Sequence, residues 1–523
     1  MARRLTRRAG REAVLAAIAR REWLLQMLAL GAAGCRRGSR PAQASHSAVT
    51  ILYGGDEVVF GPRDSPQFLV FLPLVTRNAK GEFEGRLAER WEHSPDYHSW
   101  TIHLRKGIRW EDGVPFTAHD IKFTLDLMSK VFDYLAGPSS VTVLDDTTYT
   151  MTYQKRGYGT PFDNWTVYYP KHLLEELDPK KFYQWDFWLH PVGNGPYRYV
   201  RHTPRTMMEL EANPDDPGKP KIERVVLKFF QGGRGTLTEL LSGNVDAITL
   251  IDRADLLKLA ADGRFNVYDS MDPHVTGIFW NQRHPLFRHP EIRRALTLAI
   301  NRREMHQVLN LPEHTPLFDV IPTRRQLEGA EEIPEPLPYD PEQAKQLLGR
   351  AGWTDSGNGL RDRDGNSLRF TAAVWPGWGL GNDAVYIQAQ LRRVGVQMEI
   401  QTLEESAMND RFLAGEFEAA IYRLILDNLK LGPLGIFGRS SPIGYSNPRV
   451  TALLEKAWAT MDPEEHDRDY RDIGPIFQAD LPVTFLYPHV STTVASRRIR
   501  GLSSRHRIDP IWYADQLWLE DGR

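Results

Sequence analysis

Trp100-Thr-Ile-His-Leu-Arg-Lys-Gly-Ile-Arg-Trp110-Glu-Asp-Gly-Val-Pro-Phe-Thr-Ala-His-Asp120 runs from a strand through a turn into a helix. Trp100, Ile102 and Leu104 alternate with polar residues, so they share one face of a strand. Asp112-Gly113 is a turn signal. Thr117-Ala-His-Asp120 is a capping box, in which the hydroxyl takes a free backbone N–H, and Ile121, Leu125 and Met128 follow at the spacing of a buried helix face. The same alternation of short strands and amphipathic helices continues on either side. Strands are expected at Thr50–Tyr53, Glu223–Phe230 and Val396–Ile400. Helices are expected at Gly235–Leu241, from Pro290, after the cap Asp340 with Pro341 and Gln343, and at Val385–Val394. That pattern specifies α/β architecture.

At 523 residues the chain exceeds one ordinary core, and its 41% hydrophobic content suffices for two or three. Charged residues make up 25% and the net charge is −2, which suits neither a nucleic-acid-binding polycation nor a disordered acidic chain. The charge is uneven. Ten arginines against Glu12 and Glu22 give residues 1–40 a charge of +8, which leaves −10 for the rest.

The basic opening leads into the apolar run Trp23–Gly34, too short to cross a bilayer, which takes roughly 20 residues. A basic region, a short apolar run and small residues before a processing site make a secretory signal. Here Ala32-Ala33-Gly34 precedes Cys35, the sole cysteine, and this ending resembles a bacterial lipoprotein signal. Residues 1–34 are therefore expected to be removed and Cys35 to be lipidated. Arg20-Arg21-Glu22-Trp23-Leu24-Leu25 also resembles a twin-arginine export signal. Residues 35–47 lack large apolar side chains and read as a flexible tether. With Cys35 so used, no thiol remains for a disulfide, a metal or a nucleophile.

Many blocks resemble, in order, the family 5 extracellular solute-binding proteins of peptide, nickel and oligosaccharide importers. They are Leu87-Ala-Glu-Arg-Trp91 with the segment quoted above, Gly193-Asn-Gly-Pro-Tyr197, Leu240–Asp246, Pro285–Leu296, Tyr339–Trp353, Ala389–Gly395, Phe412–Phe417 and Tyr445–Pro448. The resemblance implies the type II periplasmic-binding-protein fold, two hinged lobes with an extra subdomain, closing on a ligand. By that analogy lobe I comprises residues 48–78, 186–272 and 488–523, the subdomain residues 79–185, and lobe II residues 273–487. The chain would cross between lobes near Thr276–Trp280 and near Pro488. Trp91, Trp100 and Trp110 are expected as core anchors.

The implied function is that of a monomeric, exported, lipid-anchored binding component of an ABC transporter, working with a permease and its ATPase subunits and needing no cofactor. A short peptide leads as ligand, with an oligosaccharide or another polar solute as alternatives. A hydrolase is the remote alternative, since no carboxylate pair can be nominated for it. The resemblance places Asp427, ten residues past Phe417, where peptide-binding relatives pair a carboxylate with the ligand's α-ammonium group. Leu424 stands where those relatives carry an aromatic residue. Trp375 and Trp378, in Trp-Pro-Gly-Trp between a strand and a helix, could stack on a peptide side chain or a sugar ring. Phe279 or Trp280 could also touch ligand, though only one of two adjacent strand residues can face it. The sixteen histidines show no metal-ligand spacing, and Asp362-Arg-Asp-Gly365 reads as a β-turn.

Overall fold

The computed structural model describes residues 47–520 apart from 54–65, 78–82, 132–137, 155–160, 163–166, 217, 231–235, 250–254, 257–258, 260–261, 328, 330, 358, 427–431, 461 and 503–515. The leader, Cys35, most of the tether and Asp427 thus lie outside the described residues. From Val49 onward the chain forms one unit. Among the described residues no helix is long and apolar enough to cross a membrane.

Where local chemistry is strong, it decides the element. Trp100, Ile102 and Leu104 are at most 3% exposed on the strand Ser99–Leu104, which lies in a four-stranded antiparallel sheet beside the helix Ala118–Val131. Thr117 Oγ1 accepts from His119 N at 3.2 Å and Asp120 Oδ2 from Thr117 N at 2.8 Å, which closes the capping box. Asp340 accepts from Gln343 N at 2.8 Å, with Pro341 opening the helix behind it.

Among the described residues, ten strands form the main sheet. They are β1 (Ala48–Tyr53), β2 (Tyr197–Thr203), β3 (Met207–Ala212), β4 (Arg224–Phe229), β5 (Ala247–Thr249), β6 (Phe265–Trp280), β7 (Arg369–Val374), β8 (Gln397–Thr402), β9 (Ala419–Ile425) and β10 (Val483–Ser496). The order is β8-β7-β9-β6-β10-β5-β1-β4-β3-β2. Two long strands, β6 and β10, unite its halves. They pair antiparallel from Phe265 opposite Ser496 to Phe279 opposite Val483. One end of β10 borders β5, with Ala247 opposite Ala495, while the other end of β6 borders β9, from His274 opposite Ile425 to Trp280 opposite Ala419.

The ladder between β6 and β10 breaks register between Met271 and Val275, opposite Val490 and Pro488, and shifts again between Thr276 and Gly277. Pro488 has no N–H to give a ladder bond, so the register change falls beside a residue that weakens the ladder.

Separate cores lie on either side of this break. One collects Val49, Phe71, Trp100, Trp110, Tyr149, Leu210 and Leu227, and a smaller one Leu52, Leu240 and Val494. Beyond the break the sheet is covered on both faces. Ile278, Trp280, Ile421 and Val374 meet α1 (Pro290–Leu298) and α2 (Leu380–Arg393), whereas Val275, Phe279, Ala420 and Leu424 meet α3 (Glu405–Ala414). Coverage on both faces explains why β9, and β6 over Ile278–Trp280, read as nearly unbroken apolar runs.

Candidate functional site

β7 runs parallel to both β8 and β9, so Val374, Thr402 and Ile425 end at one edge, and Ile425 lies opposite His274 beside the ladder break. Ligands of open α/β sheets gather at such carboxyl ends. His274 and His489 meet there edge to face, their ring centroids 6.2 Å apart.

Trp375-Pro-Gly-Trp378 leaves β7 at this edge. A Cβ on Gly377 would lie 2.1 Å from the Trp375 ring, so the tight turn requires glycine. Trp378 has φ 53° and ψ 26°, a left-handed conformation that bulky residues rarely adopt. Gly379 follows at φ 84° and α2 starts at Leu380. The two indoles meet at 4.8 Å and 77°, with Trp375 half-buried and Trp378 61% exposed.

Beneath Trp378 lies Arg423 of β9, only 7% exposed. Its guanidinium carbon sits 4.4 Å from the centroid of the Trp378 ring, and its Nη2 donates to the Trp378 carbonyl at 3.5 Å. Arg423, Thr276 and Tyr487 stand opposite one another on β9, β6 and β10. Residues so paired share a face. Asp383, in the first turn of α2, is fully buried and accepts from the Tyr487 hydroxyl. Its other oxygen, Oδ1, has no hydrogen-bond partner among the described residues. Burial pushes the Asp383 carboxyl up to about 7, against the opposing pull of the Tyr487 hydroxyl and the Arg423 charge. Burial and the Asp383 charge in turn raise Tyr487 well above the usual phenol range.

Phe279 and Trp280, the adjacent pair expected to offer one face to ligand, are both fully buried, on opposite faces of the sheet. Phe279 packs on Phe412 at 5.3 Å, and Trp280 packs on Phe287 at 4.9 Å and donates to Thr484 Oγ1 at 3.0 Å. The structure places neither at the carboxyl ends of β7, β8 and β9: they pair with Ala420 and Ala419 at the start of β9, under helices on both sides of β6. Asp427 follows Leu426 just past β9 and lies outside the described residues. Arg423, Asp383 and Tyr487 were not found from the sequence. The available signal was one arginine inside the apolar run Ala419–Ile425.

A separate cavity of about 350 Å³ is lined by Thr371, Ala373, Gln401, Glu416, Phe417 and Glu418. Glu418 there accepts from Thr371 N at 2.6 Å, which spends its Oε2 on the end of the β7 ladder.

The model of the bacterial extracellular solute-binding proteins, family 5, matches residues 82–431. A Brucella ovis protein named as an ABC transporter peptide-binding protein is 29% identical over 455 residues, 82% of this chain and 84% of its own. The oligopeptide-binding protein AppA of Bacillus subtilis is 24% identical over 548 residues, 95% of this chain and 97% of its own. The solved structure of that AppA in complex with a nonapeptide superposes with a TM-score of 0.69 at 21% identity, covering 91% of this chain and 99% of AppA. That likeness gives the chain the two-lobed, type II periplasmic-binding-protein fold. By the extent of its match, the chain belongs to the bacterial extracellular solute-binding proteins of family 5.

Proposed function

We propose that this chain is the substrate-binding component of an ABC importer, enclosing a short peptide between two lobes and handing it unchanged to a membrane permease driven by ATPase subunits. The observation that carries this reading is the nearly full-length match to proteins named for peptide binding, one of them solved with a nonapeptide in place. In this reading lobe I comprises residues 48–78, 186–272 and 488–523, residues 79–185 pack on it as a subdomain, and lobe II comprises residues 273–487. The broken ladder between Met271 and Val275 is the hinge. A two-stranded crossing whose register is interrupted bends more easily than the sheets on either side. Lipid attached to Cys35 holds the exported protein at the membrane, and Cys35→Ser should release it into the soluble fraction.

Asp427 is the proposed partner of the peptide's α-ammonium group, since an enclosed ammonium demands opposite charge. Calorimetry with a peptide library tests the whole reading. Peptides should bind and be recovered intact, N-acetylation should weaken them, and Asp427→Asn should remove most of the difference between free and acetylated forms. Equal affinity for both forms in the unaltered protein would remove the amine role. Failure of every peptide, with saturable binding of an oligosaccharide, would overturn the peptide reading.

A further inference from the structure

We propose that Asp383 and Tyr487, without touching ligand themselves, position the Trp375–Trp378 loop for peptide capture by tying the start of α2 to β10. The inference rests on the peptide reading above and adds to it the pair of residues that holds the binding loop in place.

The loop depends on the first turn of α2. Leu380 N donates to the Gly377 carbonyl, and a Cβ on Gly381 would stand 3.0 Å from Pro376 Cβ, so Trp375-Pro-Gly-Trp378 folds directly onto that turn. Yet little in the turn itself makes it helical. Gly379 at its head is left-handed and offers no capping side chain, and Gly381, Asn382 and Asp383 are poor helix formers. An uncapped start of weak propensity frays unless tertiary contacts hold it. Leu380 and Ala384 bury apolar surface there, but such contacts have no direction and tolerate sliding.

Asp383 supplies the direction. It is fully buried in the first turn and accepts from the Tyr487 hydroxyl, while its Oδ1 has no hydrogen-bond partner among the described residues. A buried carboxyl with one oxygen unmet is costly, and an apolar residue at this position would avoid that cost. What only the polar group provides is a fixed bearing between α2 and β10, with β9 and β6 lying between β7 and β10 in the sheet. Tyr487 stands opposite Thr276 and immediately before Pro488, at the register change between β6 and β10. The bond therefore refers the indole loop to a strand that continues into the other half of the sheet. Groups that grip a ligand need supports good to about 0.5 Å. A loop free to slide on its helix start would release a stacked side chain sooner, so Asp383 and Tyr487 act through the indoles as positioning residues.

The test uses the mature full chain, with loop motion read by hydrogen-exchange mass spectrometry and binding of short peptides, selected from the library, read by calorimetry and stopped-flow dissociation. Tyr487→Phe keeps the ring and removes the donor. It should speed exchange over residues 377–386 by about tenfold, the scale of one buried hydrogen bond, and leave β6 and β9 unchanged. Peptide affinity should fall by a similar factor, through faster dissociation. Asp383→Ala should loosen the same residues, Asp383→Asn should do so less because its amide oxygen still accepts, and adding Tyr487→Phe to Asp383→Ala should cost nothing further. Unchanged exchange in Tyr487→Phe overturns the proposal. Faster exchange spread over the whole chain also overturns it, since a general loss of stability would act everywhere. A loosened loop that binds peptide as tightly as before overturns the role in capture and leaves the peptide reading standing. If the unaltered protein binds no peptide, the peptide reading falls and this role falls with it.

Discussion

Replacing Asp383 by Asn isolates one buried charge at the strand-end site. Asp383 is fully buried, and burial lifts it from an ordinary 3.8 to about 7 even though Tyr487 donates to it and Arg423 lies near. A rise of about three units at roughly 1.4 kcal/mol each comes to about 4 kcal/mol. The sign follows from proton binding. Between pH 4 and 7 the folded chain holds a proton that the unfolded chain has lost, so stability falls as pH rises. The contribution is complete below about pH 4, disappears as the pH passes through 7 and is flat above. Asparagine keeps an acceptor for the Tyr487 hydroxyl and cannot ionise. Any penalty from its amide N–H is independent of pH, so the informative quantity is the change in the mutational effect between pH 4 and pH 8. Urea denaturation of both proteins should show the variant gaining about 4 kcal/mol on the unaltered chain across that interval, with equal m-values. Glu111, also lifted to about 7 by burial, gives the same slope in both proteins and cancels. Parallel stability curves would show that Asp383 ionises freely and would refute the account of this site.

Asp319→Ala should cost about 3–5 kcal/mol, because Arg302, 3% exposed and 2.7 Å from the Asp319 carboxylate, would be left buried without its counter-ion; a loss under about 1 kcal/mol in urea denaturation would contradict this. Gly277→Ala, within the β6 and β10 pairing, should destabilise by about 1–3 kcal/mol, because the new Cβ would stand 2.8 Å from Val483 Cγ2 and 3.2 Å from the Thr484 carbonyl; an unchanged thermal midpoint would show that the strands yield there. Saturating peptide should shrink the radius of gyration in small-angle scattering, and an unchanged radius would count against enclosure between lobes.

What could be read from the chain were features whose causes are local. Alternation placed Trp100, Ile102 and Leu104, and capping chemistry placed Thr117 and Asp340. The helix expected from Val385 begins five residues earlier, at Leu380, and its buried face is Leu380, Ala384, Ile387 and Leu391 while Val385 is 58% exposed. Its first turn contains Gly381, Asn382 and Asp383, poor helix formers that the packing overrides. The strand-end cluster was not legible for a different reason. Positions 378, 383, 423 and 487 meet only because β9, β6 and β10 are neighbours, and strand adjacency across such separations is a property of the whole sheet. The same holds for Phe279 and Trp280, whose burial depends on helices from both sides that local patterning does not reveal.

Trp375 and Trp378 lie on one side of the register break between β6 and β10, which bears on how a peptide could drive the proposed closure. Trp375, Trp378, Asp383 and Arg423 all lie with the sheet half that contains β7 and β9. A group that touches only these residues makes the same contacts whether the crossing at Met271–Val275 is bent or straight, and a ligand with equal affinity for two states shifts neither. In the proposed reading, stacking on Trp378 would hold a peptide without by itself closing the protein. Closure would require further contacts from the half containing β1 and β5, made by the same ligand once the crossing bends. A short peptide that touches only these residues should bind with an unchanged radius of gyration, whereas a longer one of the same sequence should both bind more tightly and compact the chain.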